Sequence, residues 1–352
     1  MRRLLLPVLL VLVAALTAVP TAAPAQAARA AQAAQADPTF TTRVFSLVPG
    51  PGRAAYVHVA RNGRVYAGTY ADEGSRRSRV HEWTADGTLL RSWTVPGQRL
   101  GVEHGVQVAN ETRDGRLVLL ETSIPAVLTL DVRTGRFERV ARFPAGASPN
   151  YATWGPRHLF VTDYAAGVVY RVRRNGRVEP WFRSAGLEGI AGFGTTGIVY
   201  DRRRGAFLLT QQTTARTTTQ GLLYSLPVRR GRPGRLTPLW TSRPTDLPDG
   251  FGVGRSGRLY VANAGLTAQL VVLSPTGQEL RRFPDVPLTG DNGSPVPFDT
   301  PSNATFLGTR VLVANQSAIA GNDAHQAILS VEVGERGRPP HLPRSARFVL
   351  RR

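Results

Sequence analysis

A short pattern recurs six times along this chain: RNGRVYAGT (61–69), RDGRLVLLE (113–121), GPRHLFVTD (155–163), RRGAFLLTQ (203–211), RSGRLYVAN (255–263) and LGTRVLVAN (307–315). Each copy is a turn with Gly or Pro, then apolar residues in alternation, then a polar end. A period of two sends successive side chains to opposite faces, so each copy reads as a strand. The copies recur about every 40 to 55 residues, the spacing of blades in a repeat architecture.

Each copy has similar neighbours. A short apolar strand precedes it: AAYVHVA, HGVQVAN, NYATW, TTGIVYD, DGFGV and NATFL. Another follows it: RVHEWT, AVLTLDV, GVVYRVR, GLLYSLP, AQLVVLS and QAILSVEV. A fourth often follows a tight turn, at Asp86-Gly87, Thr134-Gly135, Asn175-Gly176 and Thr276-Gly277, which are hairpin signals. Four antiparallel strands in six units predict an all-β, six-bladed β-propeller with almost no helix. The sixth unit lacks a fourth strand, while TTRVFSLVP (41–49) is a strand without a partner. The expectation is that this N-terminal strand closes the ring and removes the open edges.

The remainder of the chain frames the propeller. It opens MRR, then LLLPVLLVLVAALTAV, then small residues, the signature of a secretory signal peptide. Cleavage near Ala27 or Ala36 would leave a secreted, extracellular chain. The expected organisation is signal peptide and leader over 1–36, propeller over 37–338, and a basic Pro/Arg-rich tail over 339–352. No later apolar run reaches the roughly 20 residues of a membrane span. Cysteine is absent, which excludes disulfides, thiolate catalysis and sulfur-based zinc sites. The net charge of +20 comes from 44 basic residues, all of them arginine. They are scattered through turns such as RNGR and DRRRG without a nucleic-acid-binding motif. No nucleic-acid partner is expected, only weak contact with an anionic cell wall. The chain is expected to be a monomer.

In such a fold the loop into each innermost strand and the end of each second strand meet at one channel mouth. The first ring is read as Arg53, Glu103-His104, Asn150, Glu188, Asp249 and Ser302-Asn303. The second ring is Thr69, Glu121, Asp163, Gln211, Asn263 and Asn315, polar at every position. These groups offer oxygen ligands, which suit Ca2+, with Mg2+ or Mn2+ as alternatives, rather than copper or structural zinc. A cation there would polarise an ester or lactone carbonyl and acidify a bound water. A nearby carboxylate would take the proton.

Three segments carry a family resemblance: SPNYATW (148–154), LPDGFGVGRSGRLYVANAG (247–265) and the final stretch from DTPSNATFLG to VEVGERG (299–337). They resemble the secreted branch of the gluconolactonase/regucalcin (senescence marker protein) family, metal-binding propellers that hydrolyse lactones or related esters. The resemblance implies that Asn150 is a metal ligand and that Asp249 is both ligand and base. It also implies a first-blade Glu, which this chain lacks: the loop reads PGRAAYVHV, with Arg53 nearby. The family's second-blade Asn-Asp-Gly is replaced by Glu103-His104-Gly105. Glu103 and Glu188 are therefore the substitute ligands, and His104 a proton shuttle beside Asp249. Asn303, Asn263 and Glu121 are expected near the substrate. Without an acid from Glu103 or Glu188, two Asn and one Asp would hold Ca2+ weakly.

Two functions from different classes follow. One is a metal-dependent hydrolase of a lactone or small ester. The other is a non-catalytic propeller that binds a ligand, a cell-wall polymer or a protein on its channel face. Lyase or synthase chemistry on the same scaffold stays open beside them.

Overall fold

The computed structural model describes residues 39–71 and 74–349, so the expected signal peptide, leader and cleavage sites lie outside the described residues. The described chain belongs to the compact unit that begins at Thr39. It is all-β in a propeller-like arrangement, with no α-helix among the described residues. None of its helical segments is long and apolar enough to cross a membrane.

The strands follow one another as the repeats predict. β1 (Thr42–Leu47) comes first. An antiparallel run of β2 (Arg53–Val59), β3 (Val65–Ala71), β4 (Arg79–Trp83) and β5 (Leu89–Thr94) follows. A second run holds β6 (His104–Glu111), β7 (Leu117–Glu121), β8 (Ala126–Asp131) and β9 (Arg136–Arg142). The two runs share one eight-stranded sheet because Tyr70 pairs with Gly105 and Ala71 with His104. The next sheet is β10 (Pro149–Trp154), β11 (Leu159–Asp163), β12 (Ala166–Val172) and β13 (Val178–Glu188). After it come β14 (Thr195–Asp201), β15 (Ala206–Gln211), β16 (Leu222–Arg229), the two-residue β17 (Arg232–Pro233) and β18 (Thr237–Thr241). Then β19 (Pro248–Val253), β20 (Leu259–Asn263), β21 (Gln269–Leu273) and β22 (Glu279–Phe283) form a sheet of four. The last sheet is β23 (Pro301–Leu307), β24 (Arg310–Asn315) and β25 (Ala327–Glu332), with β1 as its fourth strand. Thr42 stands opposite Val331 and Leu47 opposite Ala327.

The innermost strands touch in sequence: β2 against β6, β6 against β10, β10 against β14, β14 against β19, β19 against β23, and β23 against β2. The second strands β7, β11, β15 and β20 are buried along their whole length. Each lies between its own sheet neighbours and faces an adjacent sheet on either side, so its residues read as a continuous apolar run. Large side chains fill the wedges between sheets; Phe160 of β11 meets Phe207 of β15 with ring centroids 4.6 Å apart.

The segment after β25 packs on the body. Gly254 and Gly337 form a β-bridge, and the Arg338 N–H donates to the Val253 carbonyl at 2.8 Å. Further on, Tyr200 and His341 lie 5.0 Å apart, and Trp154 and Phe348 5.4 Å apart. Ala346 is fully buried, and its carbonyl accepts from the Arg113 N–H at 2.6 Å. The basic Pro/Arg-rich tail therefore forms a strap packed on the strands.

One charged pair is sealed inside. Arg282 of β22 reaches both oxygens of Asp246, at 2.8 Å each, and Asp246 is fully buried. Removing one partner leaves a buried charge uncompensated, which costs about 3–5 kcal/mol. Arg282→Leu is therefore expected to lower unfolding free energy by about that amount in urea titration, far more than truncation of an exposed arginine such as Arg139.

Candidate functional site

The polar ends of the second strands serve the fold. The Thr69 hydroxyl accepts from the Arg79 N–H at 2.9 Å. Glu121 accepts from the Ser123 N–H and hydroxyl, the Ile124 N–H and the Gln98 amide. Asp163 takes the N–H groups of Ala165, Ala166 and Ser148. Gln211 donates to the Glu188 carbonyl at 2.8 Å. Asn315 accepts from the Asp299 N–H and donates to the His325 carbonyl. All five are fully buried. They satisfy backbone groups that the turn into the third strand would otherwise orphan. Glu121, expected at the substrate, is thus a cap with both oxygens engaged. Asn263, also expected there, is fully buried, and neither polar atom of its amide has a hydrogen-bond partner. At that blade Asp246 holds the loop instead, accepting from the Arg243 N–H and the Thr267 hydroxyl.

The first ring is set by a slip in strand pairing. In β19, Pro248 pairs with Asn263 and Phe251 with Val261, so Asp249 and Gly250 oppose Ala262 alone. The same bulge puts Ala55-Tyr56 opposite Gly68, Asn150-Tyr151 opposite Thr162, and Thr196-Gly197 opposite Thr210. In β23 the extra residue is Ser302. In β6 the bulge falls later, between Val108 and Asn110, and Gln107 follows the residue paired with Glu121. Bulges re-aim side chains. The residues equivalent to Asp249 are therefore Ala55, Gln107, Asn150, Thr196 and Ser302.

This register moves three sequence assignments. Arg53 opens β2 two residues before Ala55. Glu188 ends β13, an outer strand, where it is exposed and pairs with Ala166, its Cγ packed toward Gly167. His104 is fully buried at the start of β6. Its Nδ1 lies 2.7 Å from the Val102 carbonyl and its Nε2 2.9 Å from the Arg76 carbonyl. Both ring nitrogens are engaged by backbone, which leaves His104 no lone pair aimed at a substrate; it holds a loop rather than shuttling a proton. Glu103 is exposed beside it, near enough to act electrostatically on Tyr164. Pro-Asp-Gly is likewise part of a strand. Gly250 is required by space, since a Cβ there would lie 2.2 Å from the Tyr151 hydroxyl.

Hydroxyl brackets fix the ring. The Thr162 hydroxyl donates to the Thr196 carbonyl at 2.7 Å, and the Thr210 hydroxyl to the Asp249 carbonyl at 2.5 Å. Asn303, expected at the substrate, accepts from the Val57 N–H at 3.1 Å and so ties β23 to β2. Near Asp249, whose charge acts on both, the rings of Tyr56 and Tyr151 meet at 3.8 Å, and the Tyr151 hydroxyl donates to the Ser302 carbonyl at 2.5 Å.

Asp249 is the one carboxylate on the ring. Its Oδ2 accepts from the Gln212 amide at 3.2 Å, and the Gln212 oxygen in turn accepts from the Tyr164 hydroxyl. Its Oδ1 is buried without a partner. Burial pushes its pKa up to about 8, against weaker opposing effects from Tyr151, Gln212 and the Gly250 N–H. Burial, with the Asp249 charge second, pushes the Tyr164, Tyr151 and Tyr56 hydroxyls well above the usual range, so they keep their protons. Tyr164 meets the exposed ring of Phe193 edge-on at 5.8 Å, and Arg53 lies 5.9 Å from the ring of Tyr70.

The ring provides one carboxylate, two amides, two hydroxyls and a methyl. Asn150 Oδ1 already accepts from Gln107 at 3.1 Å, and the Thr196 hydroxyl is within 3.1 Å of the Pro248 carbonyl. Among the described residues no three of His, Cys, Asp and Glu gather to hold a metal. The orphaned Asp249 Oδ1 suits a cation, with a single formal charge to hold it, and affinity follows charge count.

The structure is similar to a structural-genomics target assigned as a gluconolactonase, with TM-score 0.60 and 18% identity over 85% of this chain and 94% of that one. It is similar to regucalcin from Agrobacterium tumefaciens, described as a calcium-binding protein, with TM-score 0.60 and 16% identity over 86% and 99%. The fold is of the gluconolactonase/regucalcin kind. A luciferin-regenerating enzyme shares it, with TM-score 0.57 and 14% identity over 83% and 96%. No family model and no curated protein matches the sequence.

The register was open to discovery from sequence. The ring residue precedes its polar second-strand end by 13 to 15 positions in every copy, which selects Ala55, Gln107 and Thr196. Gln212, Tyr151 and Tyr164 carry no such signal.

Asp249 also links stability to pH. Its pKa of about 8 in the folded chain lies above the 3.8 of an ordinary Asp, so between those values the folded state holds the extra proton. Stability contributed by that proton is complete below about pH 4 and is lost as pH rises towards 8. Asp249→Asn is expected to remove this slope and, with chelator present, to exceed the wild type by roughly 2–5 kcal/mol at pH 9. Urea titrations from pH 5 to 9 measure it.

Proposed function

We propose that this chain is a secreted, monomeric six-bladed propeller, closed by β1, that hydrolyses a lactone or small ester at the Asp249 pit. The observation that supports this best is Asp249 itself: a buried carboxyl with an unpartnered oxygen and a pKa pushed up to about 8. Such a group exchanges its proton near neutral pH, as acid–base catalysis requires. Ionised Asp249 takes a proton from a water as the water oxygen bonds to the substrate carbonyl carbon. The proton then passes to the leaving alkoxide as the ester C–O bond breaks, and Asp249 is ionised again. Tyr164 keeps its proton and donates a hydrogen bond to the Gln212 oxygen, which orients the Gln212 NH2 towards Asp249. Tyr164, Phe193 and Tyr70 offer aromatic surface for the substrate body around this line.

A divalent cation, Ca2+ first with Mg2+ or Mn2+ as alternatives, would be held by Asp249 and Asn150 and would polarise the carbonyl when bound. With one carboxylate, the hold is weak and in competition with the proton on Asp249. The charge of +20 suits weak contact with an anionic cell wall. The second reading, a propeller that binds a ligand without turnover, is favoured by Ala55, which stands where the resemblance calls for an acid.

The deciding assay follows hydrolysis of a panel of lactones and aryl esters by the purified mature chain. Activity is expected to rise with pH around an apparent pKa of about 8 and to fall at least 100-fold in Asp249→Asn. Adding Ca2+ at pH 7 is expected to release protons from the wild type and none from Asp249→Asn. An active Asp249→Asn would sink the hydrolase reading. A folded wild type that hydrolyses nothing in the panel but binds one of its members selects the second reading.

A further inference from the structure

A cavity of about 940 Å3 is lined by the Tyr56–Tyr151 pair and not by Asp249. Its walls are the C-terminal halves of the inner strands, and none of Ala55, Gln107, Asn150, Thr196, Asp249 or Ser302 lines it. Residues 338–344 of the C-terminal strap lie along it. They are held by Arg338, whose guanidinium donates to Asp201 at 2.9 Å.

The cavity has an apolar body and a cationic rim. Tyr56, Tyr151, Val199, Phe251, Phe306 and Leu342 give it ring and aliphatic surface. Arg113, Arg202, Arg203 and Arg344 border it, all exposed. None of these four guanidinium groups has a hydrogen-bond or ion-pair partner among the described residues. The acid on the rim, Asp201, is already matched by Arg204 at 3.1 Å and Arg338 at 2.9 Å. His58 on the wall is neutral at physiological pH, because burial pushes its pKa down to about 4. The uncompensated charge is therefore positive and sits at the rim.

We propose that this cavity is a second binding site, separate from the Asp249 pit, for a small carboxylic acid with a flat apolar body. The body lies against the aromatic walls beside the tyrosine pair, and the carboxylate meets the arginine rim. Pockets of this size bury most of a small ligand in apolar surface with a few polar groups to orient it. A guanidinium presents a planar fork that matches a carboxylate.

Calorimetric titration of the mature chain with 2-naphthoate tests it. One molecule is expected to bind per chain. The Arg202→Ser/Arg203→Ser double variant should weaken binding at least tenfold, as should replacing the probe with neutral 2-naphthylmethanol. Arg139→Ser/Arg142→Ser, which removes the same charge from the outer strand β9, should leave it unchanged. Asp249→Asn should also leave it unchanged, which separates this site from the hydrolase reading. No saturable binding at millimolar naphthoate would overturn the proposal. So would equal loss in the two arginine pairs, or equal binding of the neutral alcohol.

Discussion

The mouth of this protein depends on a pairing slip of one residue. In five inner strands two residues face one on the second strand, just past the point where the ladder begins. A regular strand would alternate its side chains between the two neighbouring sheets. The bulge breaks that alternation at one level. It places Asp249 and its equivalents together, and it frees the carbonyl that the Thr210 hydroxyl holds. The close approach it creates also explains Gly68, where a Cβ would lie 1.8 Å from the Val106 carbonyl oxygen of the next inner strand.

Burial then decides the chemistry of that level. A carboxyl with one amide donor on one oxygen and none on the other is poorly compensated for leaving water. It keeps its proton to higher pH, and the tyrosines around it do the same for their own protons. Ala55 has no charge to add, and the exposed Glu103 and Glu188 stand outside the ring. The outcome is a site with a single titrating acid, tuned by desolvation rather than by an opposing charge.

The strands were legible in the sequence because their period is local. Six turn-led alternating runs specify their own conformation, and the pairing of β1 with β25 followed from a strand without a neighbour. The site was less legible because it depends on register. Counting from loops picked out Asn150 and Asp249, where loop and strand happen to coincide, and drifted to Arg53, His104 and Glu188 where they do not. The polar second-strand ends had the opposite problem. Their regularity was visible, but a carboxylate that accepts four turn donors, as Glu121 does, reads the same in sequence as one that faces a substrate. Nor did the strap announce itself: Pro and Arg argue against strands, not against packing, and Ala346 and Phe348 supply the contacts.

The Tyr56–Tyr151 pair borders two environments: the Asp249 charge acts on both rings, and both rings line the arginine-rimmed cavity. The acid's protonation state decides the chemistry of the site, and infrared difference titration reads it directly. Wild type minus Asp249→Asn, in chelator, should show a protonated carboxyl band that vanishes with a midpoint at about pH 8. A midpoint near 4, the ordinary range of an aspartate, would contradict it.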